Sequence, residues 1–378
     1  MKNILTLLLA LLALNAPAIT LSKEATISVL TCSPGDEMYS LFGHTGIRVT
    51  DPAQGLDIVF NYGTFDFDTQ GFYLKFARGL LPYQLSISRF RYFKAAYEEE
   101  RRSIYSQTLR LDSVQKQRLM NLLEENYRPE NRSYLYNFLY DNCSTRVRDI
   151  IEKSLGGEVE WRTREKDKSF WNLLDEYMAP SPWIQWGIHT ILGSPANADA
   201  NRREEMFLPD YLMFAIDSAY HDGNRLAAPV EVVYQAPARK SGTPWYLSPG
   251  FVFPACVLLL AGLLQRVKGR RLLKAAAFPF FLVSGVIGCL LIFLGYFTAH
   301  PTTAPNFNLV WANPLNLPVA FLLIKKRIPW LARKYLLVYL CVLAAGFACW
   351  FLLTPAVLYS TLAVIAWMAY LSYRLQKL

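Results

Sequence analysis

The sequence predicts an α+β exported domain followed by an all-α membrane domain of five helices. Three observations carry this reading. Residues 251–373 hold five apolar runs with no acidic residue, the amino terminus has the form of an export signal, and a cysteine at the start of a helix follows a strand histidine by about a hundred residues.

At the amino terminus, Lys2 precedes an apolar stretch over residues 4–14, and Ala16-Pro17-Ala18 offers the small-x-small pattern of a signal-peptidase site. Residues 1–18 therefore read as a cleaved signal peptide. Residues 19–245 follow as a periplasmic domain, roughly 230 residues and long enough to bury one full core. Residues 246–378 form the membrane domain.

The apolar runs span residues 251–265, 276–298, 307–324, 335–353 and 356–373, each near the ~20 residues that cross a hydrocarbon core, with the first and third short. The loop after the first carries Arg266, Lys268, Arg270, Arg271 and Lys274, the loop after the third carries Lys325, Lys326, Arg327, Arg333 and Lys334, and the tail carries Arg374 and Lys377. Residues 299–306 and Thr354-Pro355 carry no base. Basic loops stay in the cytoplasm, so the reading is a multi-pass inner-membrane protein with its amino-terminal domain outside and its carboxy terminus inside.

Charge sorts by region. All 30 acidic residues precede residue 251 together with 27 of the 39 basic ones, giving that part −3, while the remainder holds the other 12 bases and no acid. The formal +9 is thus orientation and lipid-surface charge, which argues against nucleic acid as a partner. Neither His189 nor His221 has ligand-like spacing to other metal-binding residues, and no phosphate loop or nucleotide motif occurs, so no metal or cofactor is expected.

Of six cysteines, Cys256, Cys289, Cys341 and Cys349 fall inside predicted spans, where a small thiol serves packing. Cys32 and Cys143 remain in the outer domain, either as a disulfide in an oxidising compartment or with Cys143 free. Cys143 lies in Tyr140-Asp141-Asn142-Cys143-Ser144-Thr145-Arg146, ahead of residues 147, 150, 151 and 155, which are apolar at helical spacing and ended by Gly156-Gly157. With Asp141 or Asn142 as cap, the sulfur sits in the first turn, where the helix dipole favours thiolate, the state a nucleophile needs.

The proposed base is His44, in Phe42-Gly43-His44-Thr45-Gly46-Ile47-Arg48-Val49. That segment pairs across Asp51-Pro52-Ala53-Gln54-Gly55 with residues 57–60 as a hairpin. A strand imidazole facing a helix-start thiol is the papain-like arrangement, here with His before Cys. Asn61 is the first choice for the group that orients the imidazole, with Asp66 and Asp68 as alternatives, because a one-residue register slip would turn Asn61 to the other face. The Cys143 N–H supplies one oxyanion donor, the second being unassigned.

These segments resemble the Lnb family of bacterial lipoprotein N-acyltransferases: Leu30-Thr31-Cys32-Ser33-Pro34-Gly35-Asp36-Glu37 with Phe42-Gly43-His44-Thr45, then Asn61-Tyr62-Gly63, then Asp141-Asn142-Cys143-Ser144-Thr145-Arg146. The layout of signal, periplasmic domain and carboxy-terminal spans is similar too. More distantly, the His-then-Cys order is similar to the permuted NlpC-type thiol fold shared with lecithin retinol acyltransferase. The resemblance implies Cys143 as the acyl-carrying nucleophile and His44 as its base. It implies a phospholipid acyl donor, and as acceptor the amino-terminal amine of a diacylated lipoprotein.

Several segments suit a lipid substrate. Residues 71–93 mix aromatic and basic side chains as at a headgroup boundary, with ordinary core as the alternative. Residues 177–192 carry Trp183 and Trp186 around Pro180 and Pro182, as an interfacial loop or lid or as core. Polar groups gather at the outer mouth of spans two and three, where His300, Asn306 and Asn308 join Asn142, Trp183 and Trp186 as substrate-contact candidates, against helix capping and Trp anchoring. Two other functions compete: a membrane-anchored cell-wall peptidase or amidase using the same thiol pair, and a non-catalytic sensor or scaffold in which Cys143 is structural.

Overall fold

A computed structural model describes residues 19–162, 168–238, 242–266, 269–353 and 358–378, so the signal peptide, Lys268 and Thr354-Pro355 lie outside the described residues. Two compact units result, and they do not follow a single cut of the chain. Among the described residues, one comprises 19–70, 81–162 and 201–237; the other comprises 71–80, 168–200 and those from 238 to 378.

The first unit is built on a seven-stranded antiparallel sheet. Its strands are β1 (Thr26–Cys32), β2 (His44–Asp51), β3 (Leu56–Thr64), β4 (Pro82–Arg89), β5 (Ile104–Thr108), β6 (Ser133–Leu135) and, after three two-residue strands β7 (Val159–Glu160), β8 (Tyr220–His221) and β9 (Asn224–Arg225) that pair apart, β10 (Glu231–Tyr234). Their order is β10-β5-β1-β2-β3-β4-β6. The expected hairpin is β2–β3, with Ile47 opposite Phe60; Pro52–Gln54 form a 3-10 turn and Gly55 takes φ 63°, the left-handed conformation the turn needs.

Both faces of the sheet are covered, which is why β1 is buried at six of its seven positions. Period-2 alternation sends Val29, Ile47, Val49, Phe60 and Tyr62 to one face. There they meet the helices Ser113–Tyr127 and Cys143–Leu155 through Leu119, Leu123, Val147 and Ile151. Leu30, Cys32 and Val59 face the other way, onto Phe90 and Phe93 of the helix Phe90–Glu99. Residues 71–93 are thus not one surface segment: Phe90 and Phe93 are core, whereas Tyr73, Leu74 and Phe76 are exposed. In chain order the helices up to residue 218 are α1 (Phe72–Ala77), α2 (Phe90–Glu99), α3 (Ser113–Tyr127), α4 (Cys143–Leu155), α5 (Phe170–Met178), α6 (Pro182–Ile191) and α7 (Pro209–Ser218), of which α2, α3, α4 and α7 belong to this unit.

The second unit gathers α1, α5 and α6 with α8 (Pro249–Gln265), α9 (Arg270–Tyr296), α10 (Asn316–Ile324), α11 (Trp330–Ala348), α12 (Trp350–Leu353) and α13 (Thr361–Gln376). Among the described residues α9 and α11 are long and apolar enough to cross a membrane, with α8 shorter. The third apolar run departs from expectation. Residues 307–310 form a 3-10 turn and helix begins only at Asn316, so α10 is nine residues long. At 1.5 Å per residue it rises about 14 Å, half the hydrocarbon thickness.

Non-helical backbone survives at such depth only when protein covers it. Here α9 supplies the cover through two glycines: a Cβ at Gly285 would stand 2.3 Å from Leu317 N, and one at Gly288 2.2 Å from the Ala312 carbonyl oxygen. The buried Asn316 amide donates to Ser284 Oγ and Tyr339 Oη, both at 3.0 Å, and accepts from Tyr335 Oη at 2.6 Å. Cys256, Cys289, Cys341 and Cys349 are all exposed on the surface of this unit rather than packed inside it.

Candidate active site

Cys143 opens α4, and Asn142 is its cap. The Asn142 Oδ1 accepts from the N–H groups of Ser144 (2.9 Å) and Thr145 (3.0 Å), while Thr145 Oγ1 accepts from the Asn142 N–H at 2.8 Å, closing a capping box. Its Nδ2 donates to the carbonyls of Phe138 and Phe207 at 2.7 and 2.8 Å. The amide is buried and committed to these four bonds, so its part in the structure is to hold the start of the helix that Cys143 opens. Asp141, the other candidate cap, instead forms a bidentate pair with Arg146, whose guanidinium lies 3.4 Å over the Tyr134 ring.

His44 is the first residue of β2, preceded by Gly43 at φ 84°. The register puts His44, Asn61 and Cys32 on the α2 face of the sheet, with Cys32 opposite His44 in the ladder. Asn61 Oδ1 stands 3.4 Å from His44 Nε2, and its Nδ2 faces the Val59 carbonyl and Ser88 Oγ, each at 3.4 Å. An amide oxygen only accepts, so Nε2 carries the proton and Nδ1 is left with a lone pair, the form a general base requires. Asp66 and Asp68 lie in an exposed turn after β3, where Asp66 Oδ1 accepts from the Asp68 N–H.

The thiol meets the sheet at the strand end. Thr45 Oγ1 and Ser144 Oγ are 2.8 Å apart, and the Thr45 N–H is directed at the Cys143 sulfur. Gly63, at φ 82°, leaves room beside it: a Cβ there would stand 3.2 Å from the Tyr136 ring and 3.7 Å from Cys143 Cβ. The Tyr136 hydroxyl bonds to the same sulfur, and its ring stacks on Tyr83 at 4.4 Å. Among the described residues no hydrogen bond joins the His44 ring to the sulfur; the Thr45 N–H, next in the chain, is what the strand end directs at it.

Electrostatics overturns the thiolate expectation. Burial pushes the Cys143 thiol up, more than the Thr45 N–H, the Ser144 hydroxyl and the Ser144 N–H pull it down. Burial and the nearby Arg102 charge push His44 down to about 4, against the bond to Asn61. The pair rests as thiol and neutral imidazole, because the helix terminus is outweighed by loss of water. Alkylation of Cys143 by iodoacetamide is therefore expected to climb with pH and to be still climbing above about pH 9, without the neutral-pH plateau of a preformed ion pair. Mass spectrometry of the labelled peptide across pH reads this directly, and a plateau between about pH 5 and 7 would refute it. Cys32 is also free, buried, and bonded to the Tyr97 hydroxyl, so no disulfide consumes Cys143.

A model of the Lnb N-terminal periplasmic domain matches residues 18–176, and one of the Lnb transmembrane domain matches residues 241–377. The chain belongs to the Lnb family. His44, Asn61, Tyr136 and Cys143 all fall in the periplasmic match of this Lnb protein, and it is a membrane protein with a periplasmic domain. No curated protein and no solved structure matches the chain.

The other substrate-contact candidates of the Lnb chain lie in the second unit and have internal partners. Asn306 Nδ2 donates to the carbonyls of Thr190, Ile191 and Leu192, and Asn308 Nδ2 to that of His189 at 3.0 Å, so both amides cap the end of α6. Trp186 Nε1 donates to Thr361 Oγ1 at 3.0 Å and Trp183 Nε1 to the Leu247 carbonyl at 2.7 Å. Residues 177–192 are mostly helix, with Pro182 in the first turn of α6, not an irregular lid. The His300 ring packs against Gly79. Sequence reasoning missed Tyr136 and the Thr45 N–H; the former's signal was a Tyr-rich approach, Tyr134-Leu135-Tyr136, to the Asn-Cys pair.

Proposed function

We propose that this protein is a thiol-dependent acyltransferase. It moves an acyl chain from a membrane phospholipid through a Cys143 thioester to the amino-terminal amine of a diacylglyceryl-cysteine lipoprotein. The observation that carries the reading is the buried Cys143 at a helix start, ringed by donors and served by an imidazole whose tautomer Asn61 fixes, in a periplasmic domain joined to a transmembrane one.

His44 Nδ1 takes the thiol proton as sulfur adds to the ester carbonyl. The tetrahedral intermediate then expels the lysophospholipid alkoxide, which receives that proton. The acceptor amine next adds to the thioester, His44 takes its proton, and the departing sulfur regains it. Ester to thioester is nearly balanced and thioester to amide is downhill, so no nucleotide is needed. The burial that keeps Cys143 a thiol also keeps water off the thioester. Because the base must be neutral, the acidic limb of acyl-enzyme formation falls near pH 4, the value to which His44 is lowered, instead of near the ordinary histidine value.

The Tyr136 hydroxyl and the N–H groups of Thr45 and Cys143 serve as donors to the developing oxyanion, next to the attacking sulfur. Tyr136→Phe is expected to lower kcat for acyl-enzyme formation about 10²-fold with KM little changed, read by single-turnover mass spectrometry. A fall in KM-dependent binding alone would assign Tyr136 to packing.

Topology supports the reading. The Ala299 N–H donates to the Arg78 carbonyl at 2.9 Å. Arg78 lies within the periplasmic match, which supports a periplasmic carboxy-terminal end for α9 and, with the charged loops, an inner-membrane orientation that leaves its basic start in the cytoplasm. The test is intact-mass analysis of a diacylated lipopeptide incubated with the protein in phospholipid vesicles. One added acyl group on the amine supports the proposal; peptidoglycan cleavage without acylation would favour a cell-wall amidase.

A further inference from the structure

The connection between β3 and β4 behaves unlike the rest of the sheet to which it belongs. Residues 71–80 leave the first unit and pack with the helical one. Two contacts anchor them there: the Ala299 N–H bond to the Arg78 carbonyl, and Gly79, at φ 66°, where a Cβ would stand 3.3 Å from both the Ala299 carbonyl carbon and the His300 ring. Both partners lie just beyond the end of the long apolar helix α9. Within this loop Tyr73 is 83% exposed, Leu74 62% and Phe76 55%, and none of them is in a buried core cluster. The charges of the segment are Lys75 and Arg78, with no acid.

A run of large apolar groups left open to water is costly, and a neighbouring apolar phase that covers them removes that cost. A six-residue helix has no stability of its own that would hold such groups in water. At the end of a membrane-crossing helix, the phase available is the boundary of the leaflet, where aromatic rings and basic side chains are both favoured. We infer that Gly71–Leu80 is a membrane-docking loop: α1 inserts Tyr73, Leu74 and Phe76 into the periplasmic leaflet, with Lys75 and Arg78 at lipid phosphates. The loop is continuous with β3, the strand of Asn61 and Gly63, so the strand that orients the base is tethered to the surface of the donor lipid. This consequence for catalysis rests on the acyltransferase reading; the docking itself does not.

The experiment places benzoylphenylalanine at position 73 or 76 of the full chain, reconstituted in vesicles of phosphatidylethanolamine and phosphatidylglycerol, and irradiates. Intact mass raised by one phospholipid at both positions is the expected result; no lipid adduct, or adducts to a second copy of the protein, overturns the proposal. A parallel arm uses Tyr73→Asp with Leu74→Asp and Phe76→Asp, exposed positions whose change leaves the core intact. The ratio of acyl transfer from vesicle phospholipid to that from a short-chain soluble ester is expected to fall at least tenfold. An unchanged ratio overturns the role of the loop in donor use. Lipid adducts on a wild-type protein that uses neither donor would leave the loop standing and remove the acyltransferase reading.

Discussion

Replacing Cys143 with alanine is expected to abolish acyl-enzyme formation and to lower N-acylation of the lipopeptide by at least about 10³-fold. Alanine removes the atom that carries the acyl group and costs little else. The side chain makes no backbone-capping bond, since α4 is capped by Asn142, and the site loses the volume of one sulfur with the bonds it takes from the Thr45 N–H and the Tyr136 hydroxyl. The variant should therefore fold, and circular dichroism with an unchanged unfolding midpoint checks that. His44→Ala is expected to fall by a similar factor for a different reason. Its Nδ1 is the acceptor for a proton on a thiol that burial holds above the usual range, so without the base little thiolate forms at neutral pH. Because the two act in one step, the double variant should be no slower than either single one; additive losses would show that His44 acts elsewhere. Raising the pH separates them further: His44→Ala should recover in part as hydroxide ionises the thiol, whereas Cys143→Ala should not. Full activity of Cys143→Ala would return the residue to a structural role and favour the scaffold reading.

Local signals account for what was legible in the sequence. The β2–β3 hairpin follows from Asp51-Pro52-Ala53-Gln54-Gly55, whose proline and glycine set the turn, and α4 follows from the spacing of Val147, Ile150, Ile151 and Leu155 with Gly156 as stop. Asn61 meets His44 because β3 keeps the register that the hairpin turn sets. What escaped depends on partners far along the chain. Asn306 and Asn308 read as open polar groups, but the carbonyls they cap lie more than a hundred residues earlier, on α6. The third apolar run reads as a span, yet Gly285 and Gly288 draw irregular backbone against α9, and Asn316 finds one hydroxyl on α9 and two on α11, so the helix starts late. The thiol's state was misread for the same reason: the helix start is visible in sequence, whereas the burial that outweighs it belongs to the assembled sheet.

Asn142→Ala is expected to be the most destabilising change at the site. The amide makes four bonds while almost wholly buried: two accepted from the first turn of α4 and two donated to carbonyls 4 and 65 residues away. Alanine removes the cap, worth about 1 kcal/mol with its two N–H bonds, and leaves the Phe138 and Phe207 carbonyls short of a partner, at about 1–3 kcal/mol for each that water does not reach. A total near 4 kcal/mol is expected, which lowers the melting midpoint of a unit of this size by about 10 °C. Asn142→Asp separates the two halves of this role. A carboxylate still caps α4 and suits the positive end of its dipole, but it cannot donate to either carbonyl and brings a charge into a buried place beside Cys143. Stability should then return only in part. The added negative charge should raise the Cys143 thiol further, moving the alkylation profile to higher pH. Were Asn142→Asp instead as stable as the native protein, the two donated bonds would contribute nothing to holding Phe138 and Phe207, whose ring centroids lie 5.7 Å apart, against the helix start.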